Sequence, residues 1–392
     1  MIDSDGIRVG EPSVVVASGR LPLSRANNNV DVADLEGVRH LAWRSGPWHW
    51  ASRKARIHLA SSVDGGHTWH HDHTVALDRD VREPRLFVFD GRLHLFFFTA
   101  GTDWRRFQPD RIHVAVRRGR RWSEPVPVSG VDHVLWRVRW LGATPLMTVY
   151  RGAGLLGPAN LVPPTVELWT TDDGTRWYPR PDMEPPSATG TETDIIRMDD
   201  GTLVGVTRRD GPHEYGSAVS AQRPGQQSWE TRHIPMKLDS PLLFGHDGEV
   251  LLIARRSLGC GGRFDLNLRL REPARMRFYE GVYAATRKRT SLWRVDPETL
   301  DVELLADLPG HGDTCFPALV HEGDGIFRLY NYTSPLNGPD RAWITGLVGR
   351  TEIYQAELRI ERRIRPFGFD ASSSGTSGFR SAGPEPSRSP VR

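Results

Sequence analysis

The sequence predicts an all-β chain: a six-bladed β-propeller with four antiparallel strands per blade. Three observations predict it. A turn motif, S/T-x-D-x-G-x-x-W, occurs at Ser62–Trp69 and again at Thr170–Trp177. Weaker copies end at Trp122 and Trp229, so the four tryptophans recur every 52 to 55 residues. Six segments then share one frame, an apolar run, a tight turn and a second apolar run, which reads as the inner hairpin of a blade.

In chain order these hairpins are NVDVADLEGVRHLAWR from Asn29, RLFVFDGRLHLFFF from Arg85 and HVLWRVRWLGATPLMTVYR from His133. They continue with DIIRMDDGTLVGVTRR from Asp194, SPLLFGHDGEVLLIARR from Ser240 and CFPALVHEGDGIFRLYNY from Cys315. Third and fourth strands lie between them, such as RIHLASS and TWHHDHTV on either side of the first turn motif. The early segment PSVVVASG is expected to close the ring as the outer strand beside TEIYQAELRI, which protects an edge. Residues 257–287 lengthen the fifth unit and read as a loop over one face. No long helical pattern interrupts the series. Residues 1–370 are expected to form one propeller and 371–392, rich in Ser, Gly and Pro, a disordered tail.

Composition narrows the function. Hydrophobic residues at 38% and charged residues at 25% fit a folded globular chain. Only three of the 51 basic residues are lysines, and 48 acidic residues are interspersed among them, so the formal charge of +3 makes no basic tract for nucleic acid. No apolar run is long enough to span a membrane, and no signal peptide is apparent, so a cytoplasmic location is expected. Cys260 and Cys315 match no zinc spacing. His67, His70, His71 and His73 crowd the first turn motif, on the face expected to be away from the site. Neither a metal nor a cofactor is expected.

The turn motif has a physical logic: the Asp accepts backbone N–H groups, Gly takes positive φ, and Trp packs the turn against a sheet. Ser62–Trp69 resembles the Asp box of the sialidase superfamily, whose members are six-bladed propellers, and the likeness covers roughly residues 10–365. The resemblance implies a structural role for these turns, on the face opposite the ligand site. It also implies a funnel with three arginines on a sugar carboxylate, an Asp acid/base and a Tyr nucleophile assisted by Glu. The sequence departs from the family's N-terminal Arg-Ile-Pro motif, since Arg20-Leu21-Pro22 is not followed by an apolar inner strand.

Candidate site residues follow from strand order. In a propeller, residues before the first strand of each blade and after the second converge on the central funnel. That rule selects Glu83, Glu192, Asp194, Asp313 and Tyr332 as catalytic candidates. Asn29, Asp31, Arg44, Arg82 and Arg85 are selected as substrate-binding candidates, with Arg209 and Arg256 taken from the pairs Arg208-Arg209 and Arg255-Arg256 that end two second strands. Glu192 and Asp194 are i, i+2 on a strand and should point the same way; close carboxylates raise one pKa and hold a proton for a leaving group. Tyr215 is a second candidate nucleophile, and Trp48 and Trp136 either stack on a sugar or fill space between blades. Cys315 lies near the funnel without an evident base. The arginines either bind an anion or pair with neighbouring carboxylates to join blades; for anion binding, at least three should line the pocket and one should lack a carboxylate. The favoured function is hydrolysis of a glycosidic bond of an acidic sugar, with a small-molecule or glycan substrate, and the alternative is a non-catalytic propeller that binds a glycan or protein through the same face.

Overall fold

A computed structural model describes residues 2–4, 6–15, 21–153 and 162–361. Six antiparallel sheets follow one another along the chain. Their inner strands are Ala26–Leu35, Asp80–Phe89, His133–Leu141, Thr193–Arg197, Asp239–His246 and Ala318–Gly323. The second strands are Val38–Gly46, Arg92–Ala100, Thr144–Arg151, Leu203–Gly211, Glu249–Ser257 and Ile326–Thr333. Second strands are buried on both faces because each blade is sandwiched between two others, which is why Leu95–Phe98 is an unbroken apolar run. Outer strands meet water, as in the largely exposed Glu230–Ile234. The inner hairpins turn at Glu36-Gly37, Asp90-Gly91, Asp247-Gly248 and Asp324-Gly325, with positive φ at both residues of each pair. This is the turn whose twist matches paired strands.

The ring closes slightly earlier in the chain than the sequence suggests. The fourth strand of the last blade is Ile7–Val9, paired with Leu358–Ile360, and Ser13–Val14 adds a short pairing with Tyr354 and Gln355. Ile7 and Val9 are buried on one face and pack in the cluster that holds Leu251, Leu308 and Leu358. Alternation therefore decides the register. Residues 16–20, which contain the rest of the expected strand and Arg20, and the expected tail 371–392 lie outside the described residues.

The turn at Ser62–Trp69 is a closed hydrogen-bond system. Gly66 N donates to Ser62 Oγ (2.8 Å), Thr68 N to Asp64 Oδ1 (2.8 Å) and Trp69 Nε1 to Gly66 O (3.0 Å). The second turn uses Thr171 and Asp173, one residue later than the spacing indicated, and Trp177 Nε1 again donates to the glycine carbonyl, at Gly174 (3.2 Å). At the weaker copies the indoles go elsewhere, Trp122 to Asp72 and Trp229 to Glu184 O. Gly66 has φ +96°, and a Cβ there would lie 2.4 Å from the Tyr330 hydroxyl of the last blade. Gly66→Ala is expected to destabilise the fold by about 1–3 kcal/mol, read as a lower urea midpoint at unchanged m-value.

Residues 257–287 are not a simple loop. They hold a short 3-10 turn at Cys260–Gly262 and a twelve-residue helix, Ala274–Ala285 (α1). Its buried face is Met276, Tyr279 and Tyr283, at helical spacing, packed with Tyr215 and Phe264. A five-residue helix, Trp343–Leu347 (α2), lies against it, with Tyr283 and Trp343 in edge-to-face contact at 5.7 Å.

Candidate functional site

The inner strands carry a repeated irregularity where they enter the funnel. In four blades the strand gains one residue over its partner, between Asn28 and Asp31, Arg82 and Arg85, Leu135 and Arg137, and Asp239 and Leu242. Three of these bulges hold a non-glycine residue in the left-handed region: Asn29 (φ 51°), Glu83 (φ 53°) and Ser240 (φ 55°). Cys315 (φ 80°) takes the same conformation just before the sixth inner strand. Pro84 and Pro241 follow two of them, where the interrupted ladder needs no N–H. Each strained residue costs on the order of 1–3 kcal/mol, and bulges re-aim side chains beside functional sites. All four strained residues line one cavity of about 210 Å³ on the propeller axis.

Asn29, His49, Arg82, Glu83, Phe107, Tyr150, Glu192, Arg208, Ser240, Arg255, Cys315, Phe316, Tyr332 and Trp343 line this cavity. Five residues selected from sequence are among them: Asn29, Arg82, Glu83, Glu192 and Tyr332. Asp313 sits directly behind, accepting hydrogen bonds from His49 Nδ1 (2.8 Å), Tyr332 Oη (3.1 Å) and Trp343 Nε1 (3.3 Å).

The two glutamates differ in their surroundings. Glu192 accepts from Arg208 Nη1 (2.7 Å) and from the strained Ser240 amide (2.6 Å). Glu83 Oε2 is buried with no hydrogen-bond partner among the described residues. Burial first, and then the Glu192 charge, push the Glu83 pKa up to about 7, against the pull of Arg85, Arg82 and Arg208. One carboxylate is anchored and its neighbour keeps a proton near neutrality, an arrangement that separates acid from base. Burial and the Asp313 charge drive the Tyr332 phenol well above its ordinary value, so it is a hydrogen-bond donor rather than a phenolate. Burial also pushes the Cys315 thiol up to about 12, which leaves it inert as a nucleophile. Burial would raise Asp313, but His49, Arg255 and Tyr332 hold it below the usual range. Burial drives His49 the other way, toward the neutral ring, whose Nδ1–H goes to Asp313.

The remaining selected residues are elsewhere. Arg44 is fully buried, pairs with Asp80 (2.7 Å) and donates to the Val81, Trp48 and Trp50 carbonyls, because the loop after its strand folds over it. Glu192 and Asp194 do point the same way, both reaching the fifth inner strand. Asp194, however, is deeper, taking the Leu243 amide (2.8 Å) and Arg139 (2.9 Å). Asp31 accepts the Leu86 amide (2.7 Å) in the same manner between the first and second blades. These aspartates join adjacent blades. Arg85 lies behind the cavity wall, stacked between Trp136 and Phe316 with Nε on the Trp136 carbonyl. Trp136 is likewise buried, so it fills space rather than facing a ligand. Arg209 pairs with Glu214 and Arg256 with Asp307, both away from the cavity; their neighbours Arg208 and Arg255 face it, as strand alternation requires. Tyr215 donates to Glu272 beside α1.

Three arginines therefore line the cavity, but all are paired. Arg82 pairs with Asp80 (2.6 Å), Arg208 with Glu192, Asp210 and Asp239, and Arg255 with Asp239 (2.9 Å). The expectation of an arginine without a carboxylate is not met among these three. Guanidinium groups buried this deeply are costly unless neutralised, and here the chain supplies the neutralising groups itself.

No protein-family model matches the chain, and no curated protein matches it in sequence. Solved structures do match in shape. A protein of unknown function from Dyadobacter fermentans aligns over 91% of this chain and 100% of its own at 14% identity, TM-score 0.61. A Trypanosoma rangeli sialidase in complex with sialic acid aligns over 86% and 54% at 13% identity, TM-score 0.53. The fold is sialidase-like. A mutant α-L-arabinofuranosidase from Fusarium graminearum, in complex with an iminosugar inhibitor, aligns over 85% and 93% at 11% identity, TM-score 0.52. The chain spans about half the length of the trypanosomal sialidase. At these identities the likeness fixes the sialidase-like propeller and leaves the chemistry to the residues of the cavity.

Proposed function

We propose that this propeller is a glycoside hydrolase acting on a neutral terminal sugar, with Glu83 as proton donor and Glu192 as the anionic carboxylate of the pair. The observation that carries the reading is the unpartnered, proton-retaining Glu83 beside the anchored Glu192 in one axial cavity. Glycoside hydrolysis needs two such groups, an acid for the leaving oxygen and a carboxylate for the oxocarbenium-like centre or its attacking water. The cavity volume is below the roughly 300–1,000 Å³ of drug-sized sites, which suits a single sugar unit. Tyr332 donates to Asp313, and in this reading Glu192 rather than Tyr332 serves the reacting centre.

The choice of a neutral sugar follows from charge. Arg82, Arg208 and Arg255 are surrounded by Asp80, Glu192, Asp210 and Asp239, so none of the three guanidinium groups that line the cavity is left over for a sugar carboxylate. The arabinofuranosidase and sialidase neighbours support a glycan-type ligand without naming it.

A panel of 4-nitrophenyl glycosides tests this, with neutral furanosides and pyranosides in one arm and a chromogenic sialoside in the other. Turnover of a neutral glycoside is expected, and it should be lost in Glu192→Gln. Turnover of the sialoside alone would overturn the neutral assignment, and binding without turnover of any glycoside would favour a lectin-like propeller.

A further inference from the structure

The funnel face carries more than the cavity. Of the large side chains that remain exposed, three aromatics sit on two loops beside it: Trp48 (37% exposed), Trp104 (51%) and Phe107 (38%). Trp48 belongs to the loop between the second and third strands of the first blade, Trp104 and Phe107 to the same loop of the second blade. The loops meet, since the Trp50 and Trp104 rings lie 5.7 Å apart with planes 33° from parallel. They are continuous with the cavity, because Phe107 and His49 line it.

The first loop is held rigidly. Arg44 donates to the carbonyls of Trp48 (3.2 Å) and Trp50 (3.0 Å), and Arg82 donates to the carbonyl of His49. His49 is tied inward to Asp313. Trp104 carries the Arg105 guanidinium 5.4 Å from its ring centre, and Phe107 packs edge-to-face on Phe98. The buried Arg44 and the partly buried Arg82 thus fix three successive carbonyls while an exposed indole stands above them. Leaving Trp48, Trp104 and Phe107 in water serves no packing need, and such exposed apolar surface next to a pocket marks a binding site.

We propose that Trp48, Trp50, Trp104 and Phe107 form a platform on which a neutral polysaccharide stacks the sugar rings that follow the one in the cavity. This rests on the proposed glycosidase reading and makes the substrate a glycan chain rather than a small glycoside. Sugar rings present C–H faces that pack on aromatic planes, and a loop already ordered by Arg44 and Arg82 loses little entropy on binding.

Affinity electrophoresis of the full chain through gels containing linear arabinan, xylan or galactan tests the platform without needing turnover. At least one of these should retard wild type and Glu83→Gln alike. Trp104→Ala and Trp48→Ala should weaken that retardation at least fivefold, and Trp104→Phe, which keeps a ring, should restore most of it. Circular dichroism melts matching wild type confirm that the variants are folded. Absence of retardation by all three polymers, equal retardation of Trp104→Ala, or retardation by polysialic acid alone would overturn the proposal. If no glycoside is turned over but Trp104-dependent retardation persists, the hydrolase reading falls and the platform stands.

Discussion

Glu83→Gln is expected to lower kcat on a glycoside with a sugar or alkyl leaving group by about 10²–10⁴-fold, the usual worth of a positioned proton donor. Gln preserves volume and removes the proton. The loss should shrink on 4-nitrophenyl glycosides, whose leaving oxygen needs little protonation. Glu192→Gln should fall by a similar factor on both substrate types, because the anion is needed whatever the leaving group. An equal loss for Glu83→Gln on both substrates would show that Glu83 positions rather than protonates. Stability should move the other way. The Glu83 pKa is raised from 4.5 to about 7 by burial and by Glu192, so its contribution to stability is full below about 4.5 and is lost as pH rises through about 7. Glu83→Gln should therefore be the more stable protein above pH 7, by on the order of 2 kcal/mol, as expected where a functional group is held against its preference.

Arg44→Met is expected to destabilise the fold by about 3–5 kcal/mol, measured by denaturant unfolding. Arg44 and Asp80 are both fully buried, and the guanidinium also satisfies the Val81, Trp48 and Trp50 carbonyls. Its removal leaves Asp80 with Arg82 as its remaining arginine partner and three carbonyls short of a donor. A small stability change with a large loss of ligand affinity would return Arg44 to the substrate-binding role that its place at the end of a second strand suggested.

The fold was legible because the propeller repeats itself. Tryptophans 69, 122, 177 and 229 keep step, and Asp-Gly hairpins punctuate apolar runs, so period and turn chemistry agree. The site was legible only as far as strand ends predict it. That rule reached Asn29, Arg82, Glu83, Glu192, Asp313 and Tyr332, since topology alone brings them to the axis. It selected Arg209 and Arg256 over Arg208 and Arg255, because a tandem pair at a strand end gives no sign of which residue faces inward until the register is known. Arg44 and Arg255 hold equivalent positions, opposite Asn28 and Asp239, yet only Arg44 is covered by a loop. His49 and Trp343 lie in or beside loops that no strand rule reaches. Helix α1 escaped notice because its apolar face is only Met276, Tyr279 and Tyr283, with Gly281 between them.

The pH dependence of kcat/KM, compared between wild type and Glu83→Gln on one glycoside with a sugar or alkyl leaving group, decides whether Glu83 supplies the proton. Glu83 must be protonated to act, so wild-type kcat/KM should fall tenfold per pH unit above about 7. In Glu83→Gln that alkaline limb should disappear and leave a low, flat rate. An alkaline limb that persists unchanged in Glu83→Gln would assign the proton to another group and contradict the account.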